Sequence, residues 1–175
     1  MDKFESERPH LVRGVVAGVA GGLVASWVMN EFLAAAKKVA EATKPESEKR
    51  AAQRQPEGED ATQKVANAVT EAATGEELSK QAREVGGPIV HYAFGALMGG
   101  VYGGIAEYSP SARLGLGSAF GSALFVGADE VMVPLLGLGK KPTDEPASGQ
   151  VQHWLAHVVY GATVEIVRRG VRRLF

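Results

Sequence analysis

The chain has 175 residues, a formal net charge of −1, 45% hydrophobic residues and no cysteine. Its length suits one compact domain, its near-neutral charge gives no electrostatic basis for binding nucleic acid, and the lack of cysteine excludes disulfides, thiolate metal sites and cysteine nucleophiles. Glycine is enriched, with 22 copies that lie mostly in apolar stretches. Glycine weakens an exposed helix, but in a bilayer it lets helices approach closely.

Four apolar stretches predict an all-α protein, a bundle of four transmembrane helices. We predict the spans at residues 11–34, 87–107, 113–137 and 151–168. The first stretch also resembles a secretory signal peptide, but the acidic residues before it favour an uncleaved helix. A soluble, glycine-rich helical bundle is the alternative to a membrane protein.

The first two spans are separated by a polar extramembrane segment, residues 37–86. Its first part has the composition of a disordered linker. A weakly amphipathic helix is predicted at about 61–84, with Asp60 as its N-cap and Gly86 at its end. This helix has three possible environments: the membrane surface, a partner protein, or solvent with its own charge pairs.

Four arginines lie near the C-terminus, and they predict how the chain is oriented in the membrane. Because basic residues favour the cytoplasmic side of a membrane, both termini are predicted to be cytoplasmic and the polar segment to lie outside. The arginines are also predicted to anchor anionic lipid headgroups, and Glu165 has the helical spacing to pair with two of them. They are Arg168, Arg169, Arg172 and Arg173.

Glycines recur every four residues on three of the predicted spans, where they line one face of each helix. Such a face lets two backbones approach and gain dispersion contacts. It suits either a homodimer or packing within the bundle, and its presence on three helices favours packing within the bundle. The ladders are Gly14, Gly18 and Gly22, then Gly95, Gly99 and Gly103, then Gly117 and Gly121.

With this topology, polar residues from all four helices are predicted to meet in one layer in the outer half of the bilayer. An ionisable side chain at the bilayer centre costs about 2.5–3.5 kcal/mol, so these residues are expected to pair in the bundle interior. The layer consists of Asn30, Glu31, His91, Asp129, Glu130, His153 and His157.

The chemistry of this layer leaves several alternatives. His153 and His157 share a helix face and, with Asp129 or Glu130, suit a metal ion. A second cofactor hypothesis is a haem held between His91 and His157, with nearby glycines making room. A proton or ion path is a third, and a hydrogen-bonded or hydrated cluster that fixes helix register is the prediction we favour. A metal ion and a haem thus stay alternatives, and neither is the favoured prediction.

Three segments resemble the YagU-like inner-membrane proteins of bacteria: HYAFGALMGGVYGGIAEYSP, VMVPLLGL and LAHVVYGATVEIVRR. The resemblance covers roughly the C-terminal half and implies a small integral inner-membrane protein, with no activity to carry over. His153, Asp129 and Glu130 have no match in it. The residues that carry the pattern are His91, Tyr102, Glu107, Pro110, Pro134, His157, Glu165, Arg168 and Arg169.

These patterns together predict a non-enzymatic protein of the bacterial inner membrane. We expect an accessory or scaffold subunit of a membrane complex, or a homo-oligomer, because no Ser-His-Asp set or phosphate-binding loop is present. Its expected partners are the lipid bilayer and other membrane subunits or itself, with no nucleic acid. The alternatives are a protein that binds a metal or haem or handles ions through the polar layer, and the soluble bundle.

Overall fold

The computed structural model describes residues 10–45, 58–139, 142–144 and 146–174. These residues form helices and no strand, so the predicted all-α class is confirmed. Short 3₁₀ segments occupy Pro110–Gly117 and Pro142–Asp144. The main helices are α1 (Leu11–Thr43), α2 (Ala61–Thr74), α3 (Lys80–Tyr108), α4 (118–135) and α5 (Ala147–Arg172).

Three helical stretches are long and apolar enough to cross a membrane: α1, α3 and the stretch Pro110–Leu135 that contains α4. Their surfaces expose many large apolar side chains, among them Trp27, Phe94 and Val126. Such a surface is typical of helices that face lipid, because a soluble protein rarely exposes large apolar patches. The chain therefore has the build of a membrane protein, and the fourth span stays a prediction.

Helix α1 packs antiparallel to α3, and glycines line the contact. A Cβ atom added to Gly99 would lie 2.7 Å from the Cα atom of Gly22, and one on Gly103 would lie 2.8 Å from the Cα atom of Gly18. Real Cβ atoms essentially never approach a heavy atom so closely. The two backbones thus touch, and the glycine faces of α1 and α3 are occupied within the chain.

Helix α5 packs against both α1 and α4. Val164 packs against Gly21 of α1, and Gly161 meets the backbones of Gly117 and Gly121. The side chain of Trp154 adds a hydrogen bond, its Nε1 donating to Ser122 Oγ at 3.0 Å. Antiparallel packing of consecutive helices places the start of α1, the α3–α4 turn and the end of α5 at one end of the bundle.

In the third predicted span, the regular α-helix begins later in the chain than the apolar stretch does. Gly115, Leu116 and Gly117 have φ values of 60°, 56° and 83°, which are left-handed and end any regular helix. The α4 helix therefore starts at Ser118 instead of residue 113. Its middle, Phe125–Met132, is π-helical, a form often found at functional sites.

The predicted helix at 61–84 is two helices. Gly75 ends α2 in the left-handed conformation, with φ 78°, and the Ser79 side chain caps α3 by accepting from the backbone of Ala82. Gly86 therefore lies inside α3, where Ala66 of α2 packs against it. The predicted N-cap at Asp60 is confirmed, since its side chain accepts from the backbone N–H of the third helical residue.

Helices α1 and α5 both continue beyond their predicted spans. Polar residues there keep helical hydrogen bonding outside the apolar stretch, so the helix ends do not coincide with the hydropathy limits. Part of the sequence prediction falls outside the described residues: most of the linker predicted to be disordered, and four basic residues that bear on the orientation. These are 46–57, and Lys3, Arg8, Lys140 and Lys141.

We expect Gly99→Ala to destabilise the protein by about 1–3 kcal/mol, because the new methyl group overpacks a backbone contact. The control is Gly127→Ala, a helical glycine of α4 with no heavy atom within 4 Å of its added Cβ. Thermal unfolding in mild detergent measures both. Equal transition midpoints for the two variants would contradict the tight packing of α1 on α3.

Candidate functional site: two polar clusters in the bundle

The first cluster lies at the end of the bundle where α1 begins and α5 ends. We call it the arginine cluster. Its charged members come from α3 and α5, and most are buried, although charged side chains are rarely buried unless they are paired. The cluster consists of Tyr102, Glu107, Glu165, Arg168, Arg169 and Arg172.

Glu165 is fully buried, and its carboxylate accepts four hydrogen bonds. Oε1 accepts from Arg169 Nε at 2.7 Å and from Arg168 Nη2 at 3.1 Å. Oε2 accepts from Arg168 Nε at 2.7 Å and from the hydroxyl of Tyr102 at 2.9 Å. Charge-assisted bonds of this length are among the stronger hydrogen bonds in proteins.

Glu107, on α3, is bound in the same manner. Arg172 donates to both carboxylate oxygens, Nε to Oε1 at 2.7 Å and Nη2 to Oε2 at 2.9 Å. Arg168 Nη1 reaches Oε1 at 3.3 Å, and the backbone N–H of His10 reaches Oε2 at 3.2 Å. Arg168 thus bridges the two carboxylates and, with His10, joins the ends of α1, α3 and α5.

The arginine cluster leaves no carboxylate oxygen without a donor, so it offers no base or metal ligand. Breaking a buried ion pair leaves an uncompensated charge, which is strongly destabilising. The arrangement therefore fixes how the helix ends meet. At the rim of the cluster, Arg169 keeps 45% of its side chain exposed.

The spacing of Glu165 to Arg168 and Arg169 predicted these two pairs, and both are present. The headgroup role does not fit Arg168, whose side chain is 4% exposed and turned towards the carboxylates. Arg172 is likewise engaged, with 13% exposure. Helical spacing on α5 cannot indicate Tyr102 or Glu107, because only the packing of α3 brings them there; the family resemblance alone had singled them out.

The second cluster, the histidine cluster, lies in the other half of the bundle and consists of His91, Asp129, His153 and His157. Asp129 Oδ2 lies 3.8 Å from Nδ1 of His157 and 4.0 Å from Nδ1 of His153. The His157 Nδ1 atom also lies 2.9 Å from the backbone oxygen of His153. The side-chain exposure falls inward, from 51% for His153 to 32% for Asp129 and 8% for His157.

His91 of α3 faces α1 at the same half of the bundle. Its Nε2 atom and Ser26 Oγ are buried and have no hydrogen-bond partner among the described residues. A buried polar atom without a partner costs about 1–3 kcal/mol, so such atoms often mark a water or ligand position. Ser26 is fully buried against Gly95.

The predicted polar layer forms only in part. Asn30 and Glu31 are exposed, because Met29 is the last buried residue of α1. The α1 helix instead contributes Ser26. Glu130 is half-buried beside Asp129. Within the described ranges, no three histidine, aspartate or glutamate side chains are grouped to hold a metal ion.

The space predicted for a haem is also filled. Gly95 faces the backbone of Gly22 and the Ser26 side chain, and Gly161 faces the α4 backbone. These glycines allow two helices to touch and leave no gap beside them for a macrocycle. The residues around His91 and His157 therefore do not fit a haem in this conformation.

We expect Glu165→Gln to destabilise the protein by about 3 kcal/mol, because it leaves the buried Arg168 short of one negative charge. Tyr102→Phe removes only a hydrogen bond to the same carboxylate and should cost about 1 kcal/mol. Glu130→Gln, which alters a carboxylate outside both clusters, is the control and should change stability by less than about 0.5 kcal/mol. Unfolding in mild detergent measures all three; a Glu165→Gln midpoint equal to that of Glu130→Gln would contradict the structural role.

Comparison with known proteins places the chain within one family. Neither the curated proteins nor the solved structures include a match. Residues 32–166 match the family described as a protein of unknown function, DUF1440. This match runs from the second half of α1 into α5 and includes Glu107, Asp129, His157 and Glu165. Since it spans most of the chain, the protein is a member of the DUF1440 family.

Proposed function

We propose that the protein is a four-span integral protein of the bacterial inner membrane that works as a non-enzymatic accessory subunit. The observation that carries this proposal is the exposed apolar surface on α1, α3 and α4. In water that surface would drive aggregation, whereas in a bilayer it needs no further cover. The YagU-like resemblance supports the same location.

The fourth span is assigned to α5 because of its neighbours. Its central residues pack on α1 and α4, with Val164 against Gly21 and Gly161 against Gly117. Two of its outward side chains, Val151 and Ile166, are apolar and exposed. A helix that lies along two membrane spans shares their environment, and its buried charges are confined to the arginine cluster at one end.

The orientation is argued from charge. The arginine cluster has three arginines against two carboxylates, and Arg173 adds another positive charge at the same end. Excess arginine next to a span favours the cytoplasmic side. Both termini and the α3–α4 turn then lie in the cytoplasm, and α2 lies outside.

The accessory role is argued from α4. In the most apolar 18-residue part of the stretch that contains α4, 17% of the residues are buried. In the corresponding parts of α1 and α3 the buried share is 39%. Its outward residues Val131 and Met132 are about half exposed. The glycine ladders are occupied within the chain, so we assign the interface with another membrane subunit to α4, the least buried of the three apolar stretches.

The topology is tested by single cysteines, since the natural chain has none to interfere. Leu174→Cys should react with a membrane-impermeant maleimide only after the inner membrane is opened. Glu76→Cys, in the loop after α2, should react in intact spheroplasts. The reverse pattern would contradict the orientation, and release of the protein by carbonate without detergent would contradict the membrane assignment.

The accessory role is tested by a photoreactive amino acid placed in α4 and expressed in the native host. At Val131 it should crosslink to a discrete partner protein of higher mass. The matched control is Ile89, an exposed apolar residue of α3 with 63% exposure. Lipid adducts alone at both positions, with a monomer after mild solubilisation, would contradict the accessory role.

A second candidate function, proton or ion handling, is favoured by the histidine cluster. Its side chains grade from exposed to buried, and the buried Nε2 atom of His91 and Ser26 Oγ lack partners among the described residues. Ionisable groups inside a membrane protein commonly mark such pathways.

This candidate predicts proton or cation flux in liposomes that contain the purified protein. Asp129→Asn should abolish most of the flux, because it removes the charge between His153 and His157. Glu130→Gln, the neighbouring carboxylate, should leave the flux unchanged. Wild-type liposomes that are no leakier than empty ones would eliminate the candidate.

A further inference from the structure

The last turns of α5 carry two pairs of arginines that face in opposite directions. Residues four apart share one face of a helix, so Arg168 faces the same way as Arg172, and Arg169 the same way as Arg173. The first pair is turned inward, with side chains 4% and 13% exposed. The second pair is turned outward: the Arg169 side chain is 45% exposed, and Arg173 is exposed.

Arg169 is held in a fixed orientation by a buried partner. Its Nε atom donates to Glu165 at 2.7 Å, and Glu165 is fully buried and tied by three further hydrogen bonds. Among the described residues, the terminal Nη1 and Nη2 atoms of Arg169 have no acceptor. A planar guanidinium presented by these two nitrogens matches the oxygens of a phosphate group.

The surroundings of Arg169 suit a phospholipid. Ile166 lies on the same face, one turn nearer the middle of the bundle, and is 59% exposed. Arg173 lies one turn further out and has no carboxylate partner among the described residues. Ile166 is therefore placed to contact the acyl chain of a lipid, and the two guanidinium groups, nearer the end of the helix, are placed to contact its headgroup.

Charge supports an anionic ligand. The two carboxylates of the cluster, Glu107 and Glu165, face three arginines, which leaves one positive charge before Arg173 is counted. The bound carboxylates are fully engaged, so neither is available to Arg173. Among the described residues, no carboxylate at this end of α5 pairs with Arg173.

We propose that Arg169 and Arg173 form a binding site for the phosphate group of an anionic phospholipid, with Glu165 as the residue that positions Arg169. The proposal rests on the proposed membrane location and names the lipid class that this end of the protein selects. It also separates the four C-terminal arginines into Arg168 and Arg172, whose side chains are turned inward onto carboxylates, and Arg169 and Arg173, whose side chains are turned outward to lipid.

The test is native mass spectrometry of the full chain in mild detergent, titrated with phosphatidylglycerol or phosphatidylcholine. The wild type should retain phosphatidylglycerol preferentially. Each basic residue near a lipid surface contributes a similar amount of binding free energy. The double variant Arg169→Gln with Arg173→Gln should therefore weaken phosphatidylglycerol binding by about 30-fold, and Arg173→Gln alone should weaken it by about 5-fold. The Arg173 side chain has no hydrogen bond or ion pair among the described residues, so its single variant reports on binding even if the double variant unfolds.

Two controls separate geometry from charge. Lys38→Gln with Lys44→Gln removes two exposed cations at the opposite end and should leave binding unchanged. Arg169→Lys keeps the charge but loses the fork held by Glu165, so it should weaken binding more than Arg173→Lys. Equal retention of the two lipids, or an equal effect of both double variants, would overturn the proposal.

Inorganic phosphate distinguishes the source of the ligand. Competition by millimolar phosphate that depends on Arg169 would assign the site to the phosphate group itself, and absence of competition with lipid selectivity intact would assign it to the complete lipid. Both outcomes support the site. A protein that is released by carbonate yet binds phosphate through Arg169 would refute the membrane location and leave the anion site standing.

Discussion

The close approach of α1 to α3 is the contact on which the rest of the structure depends. Glycine faces on both helices let the backbones touch, which gains dispersion contacts that side chains would prevent. This contact sets the depth of α3 relative to α1 and hence the position of Glu107 at the bundle end. The α5 helix, packed on the other side of α1, then brings Arg168 and Arg172 within reach of that carboxylate.

The two polar clusters differ in how completely their atoms are paired. In the arginine cluster each buried carboxylate accepts four hydrogen bonds, and this saturation explains how a low-dielectric interior holds the charges. In the histidine cluster Asp129 Oδ2 lies 3.8 Å and 4.0 Å from the Nδ1 atoms of His157 and His153, and the buried His91 Nε2 and Ser26 Oγ atoms lack partners among the described residues. A saturated network resists change, whereas an incomplete one has capacity for a water, a proton or a ligand.

Helix α4 differs from the other spans in both packing and backbone geometry. It is the least buried of the three long apolar helices, and its centre departs from α-helical hydrogen bonding over Phe125–Met132. The π-helical part contains Asp129, which links α4 to the histidines of α5. The same helix thus presents an open apolar face outward and a carboxylate inward, which relates the proposed partner surface to the histidine cluster.

Local sequence pattern predicted the helical class, the apolar spans of α1 and α3 and the cap at Asp60. It also determined the pairing of Glu165 with Arg168 and Arg169. These features are local, since they depend on residues within one helix or one turn. The start of α4 was misplaced because left-handed residues at 115–117 interrupt a stretch whose hydropathy is continuous, and the break at Gly75 was missed because glycine also occurs inside these helices.

The packing of the helices against one another sets which polar residues meet. Glu107 and Arg172 are 65 residues apart, and Tyr102 and Glu165 are 63 apart, so no spacing rule relates them. It also decided that Ser26, and not Asn30 or Glu31, faces the interior from α1, and that Arg168 turns inward while Arg169 remains half exposed. The physical reason is that the packing of neighbouring helices sets the depth and rotation of each helix, which the residues of one helix alone do not specify.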